Sequence, residues 1–195
     1  MPQHRPTNPR PQIQKWASPA FLKHMYPDDL TKLLQRRLHK ILGVSFEPDS
    51  LDLALPVVRT LKPHIAVQVI KTWANSWATS HRFHEACRLS CLFGCPDGVD
   101  SINHYAFCPF LRDVMIRCSS DSSDPEYYSL LGLVNPSRDN LKGIAAMFYA
   151  YHSVSFHPAA RALLSTRTQQ VPHTDSQLFQ QILAGSFEAA LRHAC

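Results

Sequence analysis

The stretch CRLSCLFGCPDGVDSINHYAFCPF, residues 87–110, gathers four of the chain's six cysteines and one histidine into a single short window. Within it, Cys91, Cys95, His104 and Cys108 follow the pattern C-x3-C-x8-H-x3-C. Gly94 lets the chain turn so that two sulfurs face one point, and Pro96 stops a helix from forming directly after the second of them. The segment PDGVDSIN supplies an Asp-Gly turn and a helix cap at Ser101 or Asn103. His104 and Cys108 lie four apart, which on a helix puts both on one face. A knuckle and a helix start therefore converge on one tetrahedral Zn²⁺ held by three thiolates and an imidazole.

Such a ligand set is full. A catalytic zinc keeps a position open for water, so these four residues read as a structural clasp. Cys87 paired with Cys91 offers the same C-x3-C spacing, and His81 and His84 lie close enough upstream to compete. Only Cys91 with Cys95 has the Gly-Cys-Pro knuckle, and that pair is preferred. Small buried thiols around a satisfied core histidine are the plainer alternative. Cys118 and Cys195 read as ordinary core or terminal cysteines.

Around this window the chain is patterned for helices. YPDDLTKLLQRRLHKILG repeats apolar residues at Leu30, Leu33, Leu34, Leu38, Ile41 and Leu42, with Asp28 or Asp29 as cap and Gly43 as terminator. Its other face carries Lys32, Arg36, Arg37 and Lys40. SFEPDSLDLALP reads as a proline-punctuated connector. A second helix is expected from Pro63 through HIAVQVIKTWANSWATS, with Ile65, Val69, Ile70, Trp73 and Trp77 on one face. CPFLRDVMIRC continues as a helix, and SSDSSDP is a loop by composition. Asp139 to Phe156 is a strongly apolar helix closed by Pro158. SQLFQQILAGSFEAALRHA is amphipathic through Leu178, Phe179, Ile182, Leu183, Phe187 and Leu191. No period-2 strand and no internal repeat stands out. The fold expected is mostly α, an irregular helical domain with an embedded Cys3His zinc knuckle. Its parts are a proline-rich basic arm over 1–20, the basic helix and connector over 21–62, a helix plus the knuckle over 63–118, and C-terminal helices over 119–195.

Composition narrows the function classes. Fifteen prolines stand against six glycines, and no GxGxxG, GxxxxGK[ST] or GxSxG occurs, which removes the nucleotide-loop and hydrolase-elbow readings. No apolar run reaches membrane-spanning length and Met1 is followed by no apolar signal region. The expectation is a protein without membrane association, nuclear or cytoplasmic, with reduced cysteines. Residues 1–45 hold eight Lys and Arg against two Asp, whereas the remainder holds twelve against thirteen acids, so the whole net charge of +5 belongs to the N-terminal quarter. Such a patch gains counterion-release energy on a polyanion; the alternative is a solvated helix face.

The residues TWANSWATSHRF, CLFGC and DSINHYAFCP resemble the C-terminal zinc-binding Cys-Cys-His-Cys region of non-LTR (LINE-type) retrotransposon reverse transcriptases. The resemblance runs over about residues 70–112 and rests on Trp73, Asn75, Trp77, Thr79, Arg82, Cys91, Cys95, His104, Tyr105, Cys108 and Pro109. His104 departs from it by lying about one position late, with a shorter gap to Cys108. What it implies is a non-catalytic module binding RNA or DNA through phosphates, either as part of a larger polyprotein or as a gene derived from one. Arg82 and Arg88 near the knuckle, with Arg36, Arg37 and Lys40 on the first helix, are the candidate phosphate contacts. Phe93 and Tyr105 either stack on unpaired bases or pack against the knuckle. The YPDD of residues 26–29 resembles the polymerase YxDD box, but a basic amphipathic helix follows it rather than an apolar strand, and capping explains the aspartates better. The competing class is a structural or protein-interaction helical domain, contacting a partner through its apolar helices, with a retroelement fragment that has lost activity as the limiting case. An enzyme is the weakest class, since few carboxylates cluster and no nucleophile has an evident partner.

Overall fold

The computed structural model describes residues 30–43, 47–84, 89–95, 97–118, 131–134, 136–160 and 177–194. The arm over 1–20, the YPDD box, Cys87, Arg88, Pro96, the SSDSSDP loop and Cys195 lie outside them. The described residues form helices and turns, with one isolated antiparallel bridge between Ser90 and Val99.

Helix α1, Leu30–Leu42, buries Leu34, Leu38, Ile41 and Leu42 and leaves its basic face in solvent. Gly43 follows it at φ +62°, the left-handed conformation expected of a terminating glycine. The expected connector is instead a helix, α2, Asp49–Arg59, which buries Leu51, Ala54 and Val58. The two prolines were compatible with it for separate reasons. Pro48 sits at the N-cap, where its missing N–H costs nothing, and Pro56 lies on the exposed side, so no buried hydrogen bond is lost.

Helix α3, Pro63–Trp73, is shorter than its sequence pattern implies. Asn75 takes φ +54°, the Asn75 N–H donates to the Thr72 carbonyl at 3.0 Å and the Ser76 N–H to the Lys71 carbonyl at 2.8 Å. These paired bonds are a Schellman stop, which an asparagine tolerates nearly as well as a glycine. Trp77 thus does not share a helix face with Trp73, although both are fully buried. The two indoles are anchored separately: Trp73 Nε1 donates to the Leu131 carbonyl and Trp77 Nε1 to Thr72 Oγ1, each at 3.0 Å.

The short helix α4, Ile102–Tyr105, and α5, Pro109–Cys118, carry the second half of the Cys/His window. Helix α6, Arg138–Phe156, is capped by Ser137, whose Oγ accepts from the Asn140 N–H. Apolar nearly all round, it is the central element and packs against α3, α5 and α7, Gln177–Ala194. Ile182, Leu183 and Ala190 bring α7 onto it, while Leu178, expected inside, is half exposed. No described helix is long and apolar enough to cross a membrane.

His152 on α6 packs its ring on Phe148 at 4.1 Å between centroids and stacks on Phe156 at 5.4 Å, and its Nε2 has no hydrogen-bond partner. Burial, and then the nearby charge of Lys71, hold it down to about 4. A folded value below the unfolded one means that the unfolded chain takes up more protons between pH 4 and 6.5, so stability is full above that window and falls on acidification through it. In thermal melts, His152→Phe is expected to narrow the loss of Tm between pH 6.5 and 4 relative to wild type. An unchanged pH dependence would remove His152 as a contributor.

Candidate metal centre

The site begins with a pair of extended segments on either side of the knuckle. The Asp100 N–H donates to the Leu89 carbonyl at 2.9 Å and the Cys91 N–H to the Gly98 carbonyl at 2.7 Å, which holds 89–91 against 98–100. Between them the chain turns at Gly94, φ +91°, where the absence of a Cβ removes the strain. The Phe93 N–H donates to Cys91 Sγ at 3.4 Å, so the backbone of the turn is already aimed at the sulfur.

The second half is set by Ser101. Its Oγ accepts from the His104 N–H at 3.3 Å, which makes it the cap of α4. His104 and Cys108 do not lie on one continuous helix as the spacing implies: α4 ends at Tyr105, the chain turns through Ala106 and Phe107, and Cys108 opens α5 by accepting the Arg112 N–H at 2.9 Å. The turn keeps helical bonding, with the Phe107 N–H on the His104 carbonyl at 2.9 Å, and so preserves the facing of the two ligands.

Cys91, Cys95, His104 and Cys108 come together with all four ligand atoms within 4.8 Å of one another, a group that could hold a metal ion. None of the three cysteines is in a disulfide, and their Sγ atoms lie 4.0 Å apart for Cys91 and Cys108 and 3.6 Å for Cys95 and Cys108. His104 Nε2 is buried with no hydrogen-bond partner. Unpaired buried nitrogens are costly, and a cation held among the three sulfurs could supply the partner. His81 and His84, the upstream competitors, are exposed and stand outside the group.

The three thiols shift one another's protonation. Cys91 is drawn down to about 5, first by the hydrogen bond from Cys108, against burial, and further by backbone N–H groups and His104. Cys95 is pushed up to about 11 by burial and then by the charge on Cys91, and Cys108 is pushed up by its bond to Cys91 and by burial. One thiolate is accessible and the other two resist ionisation. Three neighbouring thiolates require a cation among them to offset their repulsion.

Two residues outside the ligand pattern shape the site. Gly98 belongs to the Asp-Gly turn, but its constraint is contact: a Cβ there would lie 2.6 Å from the His104 Cε1 and Nε2 and 2.7 Å from Cys91 Cβ. Asp100 is buried and joins the site to the helical core. Its Oδ2 accepts from the Ser80 N–H at 2.6 Å, and its Oδ1 from Tyr105 Oη at 2.8 Å and Tyr151 Oη at 3.3 Å. Nothing in a linear motif marks either role. An Asp two residues beyond an Asp-Gly turn is the nearest signal.

The candidate nucleic-acid contacts divide. Arg36, Arg37 and Lys40 are exposed on α1, and Arg82 is exposed with its guanidinium 5.6 Å from the Phe83 ring. Arg88 lies outside the described residues. Phe93 and Tyr105 are buried and unavailable for base stacking: Tyr105 lies between Trp77, at 5.6 Å, and Phe93, at 5.9 Å, while Phe93 also meets Phe187 at 5.8 Å. Their rings close the knuckle onto the core, and the Tyr105 hydroxyl accepts the Leu92 N–H at 3.2 Å. Burial, then the Asp100 charge, pushes the Tyr105 hydroxyl well up, so it stays a donor to that carboxylate.

No family model, no curated protein and no solved structure matches this chain.

Proposed function

We propose that the chain is a non-catalytic, zinc-stabilised module that binds RNA through its phosphates. The observation that carries the reading is a four-residue Cys3His group joined directly to a helix with an exposed basic face: Asn103 Nδ2, next to the ligand His104, donates to the Ile41 carbonyl at 3.0 Å at the end of α1. Zinc suits the donors. A tetrahedron with Zn–S bonds of about 2.3 Å has sulfurs roughly 3.8 Å apart, between the separations of 3.6 and 4.0 Å found here. With four protein ligands no site is left for a reactive water, so the metal acts as a clasp. RNA rather than another polyanion is favoured by the resemblance of residues 70–112 to the segment downstream of LINE-type polymerases.

If Arg36, Arg37, Lys40 and Arg82 supply three or four phosphate contacts, affinity for single-stranded RNA falls roughly 20- to 50-fold between about 50 and about 200 mM salt. Replacing Arg36, Arg37 and Lys40 together by alanine makes the logarithmic salt dependence shallower by about 2. Fluorescence anisotropy at several salt concentrations measures both. No binding, or a salt-independent affinity, would overturn the reading in favour of a protein-interaction domain. That second reading draws on Leu53 and Val67, apolar side chains of α2 and α3 that are 66% and 48% exposed.

A further inference from the structure

With Phe93 and Tyr105 buried, the aromatic rings open to solvent at the metal module are others. Phe107 is 52% exposed and Phe110 is 41% exposed, on either side of the ligand Cys108. Phe107 is the fourth residue after Asn103 along the turn that carries His104, and both are exposed. Asn103 in turn donates to the carbonyls of Lys40, at 3.4 Å, and Ile41, at 3.0 Å. The last turn of α1, with exposed Lys40 and, three residues before it, exposed Arg37, therefore abuts the short segment that runs from Asn103 to Phe107. On α5, exposed Arg112 lies two residues after Phe110 and so on another side of the helix, and exposed Asp113 lies three residues after it.

Exposed aromatic rings cost solvation free energy unless something covers them, and the exposed cations of the last turn of α1 favour an anionic cover. Single-stranded nucleic acid meets both demands, because every unpaired base has a face to stack and every linkage a charge to pair. The backbone of Phe107 is also held in advance. Its own N–H is bonded to the His104 carbonyl, so its backbone belongs to the metal-clasped turn and little ordering remains to be done on binding.

We infer that Phe107, with Phe110 beside it, is a stacking platform for unpaired bases of a single strand whose phosphates lie along Lys40 and Arg37. This rests on the nucleic-acid reading above and names the part of the surface that prefers single strands to duplex. The test uses the full chain with its metal and a labelled oligouridine strand. Phe107→Ala is expected to weaken binding roughly 5- to 100-fold with an unchanged salt slope, whereas Arg37→Ala with Lys40→Ala lowers the slope. Phe107→Trp is expected to bind and to show new emission that oligouridine quenches; this readout decides the matter should Phe107→Ala lose its metal. Duplex RNA bound as tightly as the single strand, or Phe107→Trp emission unaffected by saturating oligouridine, would overturn the platform. In either case salt-dependent binding by wild type would leave the nucleic-acid reading standing. Absence of wild-type binding would instead remove that reading and the platform together.

Discussion

Cys108→Ser is expected to yield protein without bound metal and without a stable 89–118 module, whereas wild type purifies with about one zinc per chain. Cys108 is the most damaging ligand to change because it joins the two halves. Its sulfur is buried and lies 4.0 Å from that of Cys91 and 3.6 Å from that of Cys95, and its carbonyl starts α5. Structural zinc contributes about 10–16 kcal/mol of apparent binding free energy in isolated zinc-finger peptides. That is as large as the whole stability of an ordinary domain, about 5–15 kcal/mol. Loss of the metal should therefore be seen as loss of cooperative melting, not as a small shift in Tm, and a strong chelator should reproduce it on wild type. Cys87→Ser should keep its zinc. Elemental analysis beside thermal melts reads all three proteins. A folded, metal-free wild type would refute the assignment, and zinc lost with Cys87 would move the knuckle upstream.

Gly98→Ala is expected to do nearly as much harm through one added methyl group. At 2.6 and 2.7 Å the new carbon would overlap His104 and Cys91 Cβ, distances that folded proteins do not sustain. Yielding costs either neighbour its place in the group: Cys91 is tied to Gly98 by its own N–H, and the His104 ring would have to swing away from the three cysteines. Relief comes from opening the paired segments or from turning the ring out, and either separates the knuckle from the histidine. The expected cost is at least the roughly 1–3 kcal/mol of core overpacking, with metal affinity reduced by orders of magnitude. Gly185→Ala is the matched control. Gly185 lies within α7 and an added Cβ meets nothing within 4 Å, so there alanine should stabilise the protein by about 0.4–1 kcal/mol. Opposite signs for the same chemical change would locate the constraint in contact and not in backbone freedom. A Gly98→Ala protein that binds metal normally would show that the two segments separate more easily than their hydrogen bonds imply.

Helices were legible where apolar spacing was regular and a stop was near. Leu34, Leu38 and Ile41 before Gly43 specify α1, and the apolar run from Leu141 to Val154 specifies α6. Two misreadings have a common source, since the residue type was judged apart from its surroundings. Pro48 and Pro56 read as breaks until the cap and the exposed side of α2 made them harmless. Asn75 read as an ordinary helical residue until its left-handed backbone ended α3 and freed Trp77 to enter the core from a turn.

The metal group was legible for a stronger reason. Thiolate and imidazole ligands must come from a few residue types at spacings a turn can close, and Cys91, Cys95, His104 and Cys108 satisfy that requirement on paper. By itself the sequence determined the helical class, the ends of several helices and the four residues of the candidate metal group, because each depends on residues close together in the chain. Only the tertiary structure decided which aromatic rings face water, why Gly98 admits no side chain, and that Asn103 and Asp100 fasten the metal group to α1 and α6. Those properties depend on partners tens of residues away, and exposure and close contact arise only when distant segments have packed.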